Sequence, residues 1–323
     1  MNQSRIGLAN LPTPLEPAPR LTAAWGGPTI WIKRDDLTGF GLSGNKVRKL
    51  EFHLAAAVDA GADTVITCGA VQSNHCRATA LAAARVGLDA VLYLRSPDGE
   101  PPAEITGNHF LQRLAGAECR FVTPAEYEDR DRIMAAAAGA HDGTAWVIPE
   151  GASDATGALG FVAAMHEIDA QIRDLEIEHP AIWHAASSAG TTAGMIIGAA
   201  ATGLDAEIVG SSVGEPSQEI EHRVREILDA SLERFGGHAG AVDWSITDDY
   251  IGRGYGLTTP GELEMQAKVT RMTGLIFDPT YTGKAIYGLG REIEKGRFGS
   301  DDDVIFWHTG GGFAVFAFPQ LAE

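Results

Sequence analysis

Lysine is scarce in this chain, with six in 323 residues: Lys33, Lys46, Lys49, Lys268, Lys284 and Lys295. Basic residues number 25 against 43 acidic ones, a formal net charge of -18. A chain this acidic offers no basic face, which argues against nucleic acid and anionic membrane as partners. Cysteine is nearly absent too. Cys68, Cys76 and Cys119 are an odd number without metal-ligand spacing, so no metal site is expected and the three read as reduced, buried thiols. No apolar run approaches the roughly 18 residues of a membrane span. Met1-Asn2-Gln3-Ser4-Arg5 leads into no signal-peptide core, so a cytoplasmic location is expected. What remains is 45% hydrophobic and 21% charged, the composition of a folded enzyme. The length allows two domains or one large one.

Against that scarcity, one lysine stands out. In Ser43-Gly44-Asn45-Lys46-Val47-Arg48-Lys49-Leu50-Glu51 it sits where a small-residue turn becomes a helix. Val47, Leu50, Leu54 and Val58 recur at helical spacing, and Gly61 supplies a stop. An amine at a helix N-terminus, beside Arg48 and Lys49, is expected to have a lowered pKa. A neutral amine is what a carbonyl-attacking lysine requires.

Short β-branched runs alternate with alanine-rich helical segments, the pattern of an α/β protein with parallel sheets. Strands are expected at residues 29–32, 64–67, 90–94, 120–122, 145–148, 181–185, 207–210 and 304–307. In doubly wound sheets the strand-to-helix joints line one crevice where ligands bind. Several joints carry more than a turn needs. Gln72-Ser73-Asn74-His75 follows the second expected strand, with Ser73 or Asn74 also able to cap a helix. Ser187-Ser188-Ala189-Gly190-Thr191-Thr192-Ala193-Gly194 has the small residues and hydroxyls of an anion cradle. It is neither a Walker loop nor a dinucleotide fingerprint. Arg253-Gly254-Tyr255-Gly256 and Phe277-Asp278-Pro279-Thr280-Tyr281-Thr282-Gly283-Lys284 each present a tyrosine from a tight turn. His308-Thr309-Gly310-Gly311-Gly312 implies close backbone approach to something flat or charged.

Taken in order, the Asn-Lys-x-Arg-Lys run, Gln72-Ser73-Asn74-His75, the 188–194 loop, the Asp-Pro-Thr-Tyr turn and Thr309-Gly310-Gly311 resemble the D-cysteine desulfhydrase and 1-aminocyclopropane-1-carboxylate deaminase family. These are fold type II pyridoxal-phosphate enzymes, related to the tryptophan synthase β chain. The resemblance runs from about Leu11 to the C-terminus. It implies two open, twisted, mostly parallel sheets in two domains with the cofactor between them. Residues 1–53 and 160–323 would form the larger domain and 54–159 the smaller, and the protein would be a homodimer. Lys46 would hold pyridoxal 5'-phosphate covalently. Lys49 and Ser188, Ala189, Gly190 and Thr191 would bind its phosphate, Asn74 its 3-oxygen, and Thr309 its pyridine nitrogen. Ser73, Asn74, His75 and Tyr281 would meet a small amino-acid substrate, with Ser73, Tyr255 and Tyr281 joining Lys46 in catalysis. The family's usual loop has glycine at the position of Ala189.

The chemistry implied is abstraction of the Cα proton by the freed Lys46 amine and loss of a β-substituent, ending in pyruvate and ammonia. Family members that open a cyclopropane ring carry glutamate at the position of Thr282 and leucine at that of Thr309. Neutral threonines leave the pyridine nitrogen largely unprotonated, which suffices for a good leaving group. D-cysteine, with loss of sulfide, is the leading substrate. L-cysteate with loss of sulfite is the rival, followed by aminocyclopropane carboxylate, and D-serine or chloroalanine could share the chemistry. Outside lyases stand a pyridoxal-phosphate-binding protein without turnover and a dinucleotide-dependent oxidoreductase. The latter would need Gly252-x-Gly254-x-Gly256 to open a helix, against the start signal Thr258-Thr259-Pro260.

Overall fold

A computed structural model describes residues 3–321. In chain order its strands are β1 (Leu15–Pro17), β2 (Thr29–Lys33), β3 (Thr64–Ala70), β4 (Asp89–Arg95), β5 (Glu118–Val122), β6 (Ala145–Val147), β7 (Ala181–Ala186), β8 (Glu207–Ser212), β9 (Trp244–Thr247) and β10 (Asp303–Trp307). They form a six-stranded sheet in the order β1-β2-β10-β7-β8-β9 and a four-stranded sheet in the order β5-β4-β3-β6. Every pairing is parallel except that of β1 with β2. All eight expected strands are present. β1 and β9 fall outside the expectation, because Leu-Glu-Pro and Trp-Ser-Ile-Thr are too short and mixed to show a period.

The helices are α1 (Pro19–Trp25), α2 (Lys46–Asp59), α3 (Asn74–Val86), α4 (Gly107–Leu114), α5 (Pro124–Glu128), α6 (Arg130–Gly139), α7 (Ala155–Asp174), α8 (Gly190–Thr202), α9 (Ser217–Phe235), α10 (Pro260–Thr273) and α11 (Thr282–Glu294). Helix α2 starts at Lys46 and ends before Gly61, whose φ is +71°. Val58 is 46% exposed, because a 3.6-residue repeat carries the buried face from Leu54 to Ala57. Thr259 and Glu262 form a capping box at the start of α10, so the Gly252–Gly256 run is a loop and opens no helix. Cys68 and Cys76 are buried free thiols, whereas Cys119 on β5 is partly exposed.

Helix α7 is the spine that positions the site. An added Cβ at Gly160 would lie 2.4 Å from the Arg48 carbonyl on α2, and one at Gly194 on α8 would lie 2.4 Å from the Ala158 carbonyl. At Gly198 it would meet Met165 Cβ at 2.5 Å. These contacts set α2 and α8, which carry Lys46 and the cradle loop, against one rod. Filling any of the three glycines would overpack the joint at a cost of about 1–3 kcal/mol or more.

A buried ionic cluster fixes α2 further. Arg48 donates from Nε to Asp35 Oδ2 at 2.8 Å and from Nη1 to Glu167 Oε2 at 2.9 Å. Lys33 donates to Glu167 Oε1 at 2.5 Å and to the Thr13 carbonyl at 2.7 Å. Strand β2, helix α2 and helix α7 are thus tied together behind Lys46.

Candidate active site

The C-terminal ends of β3, β7 and β10 open on one cleft, about 700 Å³ with its mouth. Its walls include Lys46, Ser73, Asn74, His75, Ser188, Ala189, Thr191, Tyr255, Tyr281 and Thr309. These residues come from six separate stretches of sequence. Lys49 lies behind the wall, one helical turn from Lys46, and Gly190 opens α8.

Lys46 reaches the cleft because two loops pass very close. An added Cβ on Gly44 would sit 2.7 Å from the Thr309 carbonyl, and one on Gly310 would sit 2.5 Å from Gly44 Cα. The Thr309 carbonyl accepts from Asn45 N at 3.1 Å. Arg77 clamps the approach, donating to the Gly41 and Ser43 carbonyls at 2.8 and 2.7 Å. Burial lowers the Lys46 amine to about 8, opposed by Glu150 and Asp278. The direction agrees with the sequence reading and the cause differs: Arg48 points away into its carboxylates, and desolvation does the work.

Lys49 is fully buried and has no ion pair among the described residues. Its amine donates to Ser153 Oγ at 3.0 Å and to the Gly151 carbonyl at 3.3 Å, and Ser153 Oγ lies 2.7 Å from Ser188 Oγ. Burial pushes its pKa well down, and Lys46 adds to the effect. Beside it, Ala189 has φ +68°, and Gly190 N donates to the Ser188 carbonyl at 2.9 Å, a strained γ-turn. Glycine would relieve that strain, which accounts for its use in the resembling loop. A buried amine, hydroxyls and the N-terminus of α8 together demand an anion.

Gln72 to His75 are held from several sides. Ser73 is the N-cap of α3, accepting from Cys76 N at 3.1 Å, and also lines the cleft. Asn74 donates to Asp278 Oδ2 at 2.8 Å and accepts from Asn108 Nδ2 at 2.8 Å, so its amide orientation is fixed and one N–H stays unused. Thr67 donates to the Ile148 carbonyl at 2.8 Å, so at 2.7 Å it must accept from His75 Nε2. Nδ1 of His75 is then an unpartnered acceptor. Burial, with Lys46 and Lys49, holds the ring neutral.

Tyr255 Oη lies 2.6 Å from Tyr281 Oη, with the rings edge-on at 5.8 Å. Burial raises both phenols, Tyr255 to about 12 and Tyr281 well above its ordinary value, so both keep their protons. One hydroxyl proton serves the pair and the other is available to the cleft. Lys284, the last residue of the Asp-Pro-Thr-Tyr run, donates to the carbonyls of Val213, Ile251 and Gly254 at 3.2, 2.6 and 2.6 Å. This holds the loop that carries Tyr255. Thr282 does not reach the cleft: it accepts from Asp278 N at 2.8 Å and faces the Gly310 carbonyl at 3.4 Å.

Asp278, Glu150 and Asn108 were not singled out in the sequence. Burial raises Asp278 to about 6 against its hydrogen bonds from Tyr281 N and Asn74. The Asp278 side chain fits only because Gly311 has none. Glu150 accepts from Tyr127 Oη at 2.8 Å. The only hint in the sequence was the motif containing Asp278.

The sequence profile of pyridoxal-phosphate dependent enzymes matches residues 6–310. The chain belongs to that family. A protein of Pyrococcus abyssi named putative 1-aminocyclopropane-1-carboxylate deaminase is 35% identical over 319 residues, 98% of this chain and 94% of that one. The D-cysteine desulfhydrase of Salmonella choleraesuis is 38% identical over 317 residues, 97% and 96% of the two chains. A solved structure described as an ACC deaminase homologue superposes with a TM-score of 0.89 at 34% identity, covering 99% of this chain and 96% of that one. Diaminopropionate ammonia lyase of Escherichia coli, at 18% identity, shares the fold with a TM-score of 0.68, over 97% of this chain and 86% of that one. The site of this pyridoxal-phosphate enzyme fits its cofactor: the Lys49 cradle suits the phosphate, and the lowered Lys46 amine suits the aldehyde.

Proposed function

We propose that the protein is a β-elimination lyase of the D-cysteine desulfhydrase type, converting D-cysteine to pyruvate, sulfide and ammonia. The observation that carries this is the protonated Tyr255–Tyr281 pair on the same cleft as the lowered Lys46 amine, with the neutral Thr309 in the wall. The likeness to D-cysteine desulfhydrase across nearly the whole chain supports it.

Bound pyridoxal phosphate supplies an electron sink for the Cα–H bond electrons. Lys46 would hold the cofactor, and its amine, lowered by burial, would take the Cα proton of bound substrate. Lys49, Ser188, Ala189, Gly190 and Thr191 would hold the phosphate, Asn74 would donate its unused N–H to the 3-oxygen, and Thr309 would face the pyridine nitrogen as a neutral group. Ser73, Asn74 and the helix N-terminal backbone at His75 would receive the substrate carboxylate and Cα region, the His75 ring offering only the acceptor Nδ1. The spare hydroxyl proton of Tyr255 or Tyr281 goes to the departing thiolate.

Residues 54–159, which contain the four-stranded sheet, form in this reading the smaller domain that closes on substrate and excludes water. A cytoplasmic homodimer completes it. No described helix is long and apolar enough to cross a membrane. The test is 2-oxo acid release from D-cysteine, L-cysteine, L-cysteate and aminocyclopropane carboxylate by the cofactor-loaded protein. Pyruvate with sulfide from D-cysteine is expected. 2-Oxobutyrate from the cyclopropane acid would overturn the argument from Thr309.

A further inference from the structure

A one-way chain of amides runs behind the cleft wall. It begins at the Gln72 carbonyl, which accepts from Asn108 Nδ2 at 2.9 Å. The second proton of that nitrogen goes to Asn74 Oδ1 at 2.8 Å, and Asn74 Nδ2 then donates to Asp278 Oδ2 at 2.8 Å. Burial raises Asp278 only to about 6, which leaves it ionised at neutral pH. A backbone carbonyl and an ionised carboxylate can only accept, so both ends of the chain dictate the same direction.

Each member is held in its own seat. Gln72 Oε1 accepts from Asn108 N at 2.9 Å and Gln72 Nε2 donates to the Thr106 carbonyl at 3.1 Å, which locks the start of α4 against the turn before α3. An added Cβ on Gly107 would sit 2.6 Å from Gln72 Oε1. Asn108 is fully buried, and its Oδ1 has no partner among the described residues. A buried orphan acceptor is costly, yet turning this amide over would set its oxygen against the oxygens of Gln72 and Asn74. On the far side the Asp278 carboxylate is packed against Gly311 and also accepts from Tyr281 N, so it cannot swing away from Asn74. Capping the start of α11 needs only one of its oxygens. The other meets an amide on the cleft wall, 204 residues away in sequence.

We propose that Asp278 and Asn108 are positioning residues for cofactor recognition, fixing the Asn74 amide so that it turns an N–H, and not its C=O, towards the 3-oxygen of pyridoxal phosphate. This rests on the assignment of Asn74 to that oxygen, and it explains why an acid stands at position 278. An amide there would have to turn its own NH2 towards Asn74 Nδ2 or Tyr281 N, both of which are donors. Asn74 could then turn over and face the cofactor oxygen with another oxygen.

The test compares pyridoxal phosphate with its 3-deoxy analogue, in which hydrogen replaces the 3-hydroxyl. Dissociation constants of both are measured by absorption on full-length protein stripped of cofactor and reloaded, for wild type, Asn74→Ala, Asp278→Asn, Asn108→Ala and the two double variants with Asn74→Ala. Preference for the natural cofactor is expected to fall roughly tenfold in Asn74→Ala and in Asp278→Asn, and roughly threefold in Asn108→Ala, as loss of one hydrogen bond implies. Neither change should lower it further once Asn74 is gone, because residues that act through a shared partner are not additive. Equal weakening of both cofactors by Asp278→Asn, or the same loss of preference with and without Asn74, would overturn the proposal and leave the carboxylate as a cap of α11 or a bare charge. Asn108→Ala leaves that cap and that charge untouched, so it carries the test if Asp278→Asn does not fold. An unchanged preference in Asn74→Ala itself would remove the contact with the 3-oxygen, and the proposal with it.

Discussion

At the scale of single residues, reactivity here is set by what is taken out of water. Lys46 has a lowered pKa because its amine is desolvated, and its neighbours Glu150 and Asp278 only moderate the effect. In the cofactor-free protein, acylation of Lys46 is therefore expected to rise with pH with a midpoint near 8. Peptide mass spectrometry across a pH series checks this, and a Lys46 modification rate still climbing through pH 10 would refute it. Replacing Lys46 by Ala should abolish pyruvate formation and remove the absorption band of the covalently attached cofactor. An unchanged band would move the attachment to another lysine.

The same local view explains what could be read from sequence. Lys46, Asn74, Tyr255, Tyr281 and the 188–194 loop were legible because each sits in a turn whose composition exceeds turn-making needs. Glu150 and Asn108 were not, since each is an ordinary residue in an ordinary segment until the fold brings it to the cleft wall or onto Asn74 behind it. The threonine at 282 shows the converse. Its motif drew attention to it, yet its hydroxyl is consumed by Asp278 N at the start of α11.

At the scale of elements, the strand cores were visible as apolar runs, whereas β1 and β9 draw their stability from the neighbours they pair with. The strapping of α2 to α7 and β2 was hidden, because an Arg, a Lys and a Glu far apart in sequence give no periodic signal. Burial alone would raise Glu167, but Arg48 and Lys33 hold it down to about 2. Lys33 is itself lowered by its burial despite Glu167, so the cluster contributes less than the carboxylate's shift alone suggests. Because the folded pKa of Glu167 is depressed, its contribution is present above the unfolded value near 4.5 and is lost as pH falls from there towards 2. Wild-type protein should lose roughly 1–3 kcal/mol of stability across that window through this group. Glu167→Gln should be less stable at pH 7 and show a flatter acid limb. Denaturant midpoints measured from pH 7 to pH 3 check this, and parallel curves for the two proteins would refute it.

At the scale of the whole molecule, a groove beside the approach to Lys46 is lined by Leu37, Phe40, Ile276, Phe313, Val315 and Phe316. Phe40 is 88% exposed and Phe316 72%. So large an apolar face on a chain of net charge -18 is the best candidate for the proposed dimer contact. Phe40→Asp combined with Phe316→Asp should shift sedimentation from dimer to monomer. A dimer that survives both changes would place the contact elsewhere. Lys284 has a consequence at this scale. Its ammonium occupies three carbonyls as a dehydrated potassium ion would, so the loop carrying Tyr255 is held by a cation that cannot diffuse away. Turnover should therefore be the same in sodium, potassium or caesium buffers of equal ionic strength, whereas a Lys284→Met protein should become dependent on which alkali salt is present.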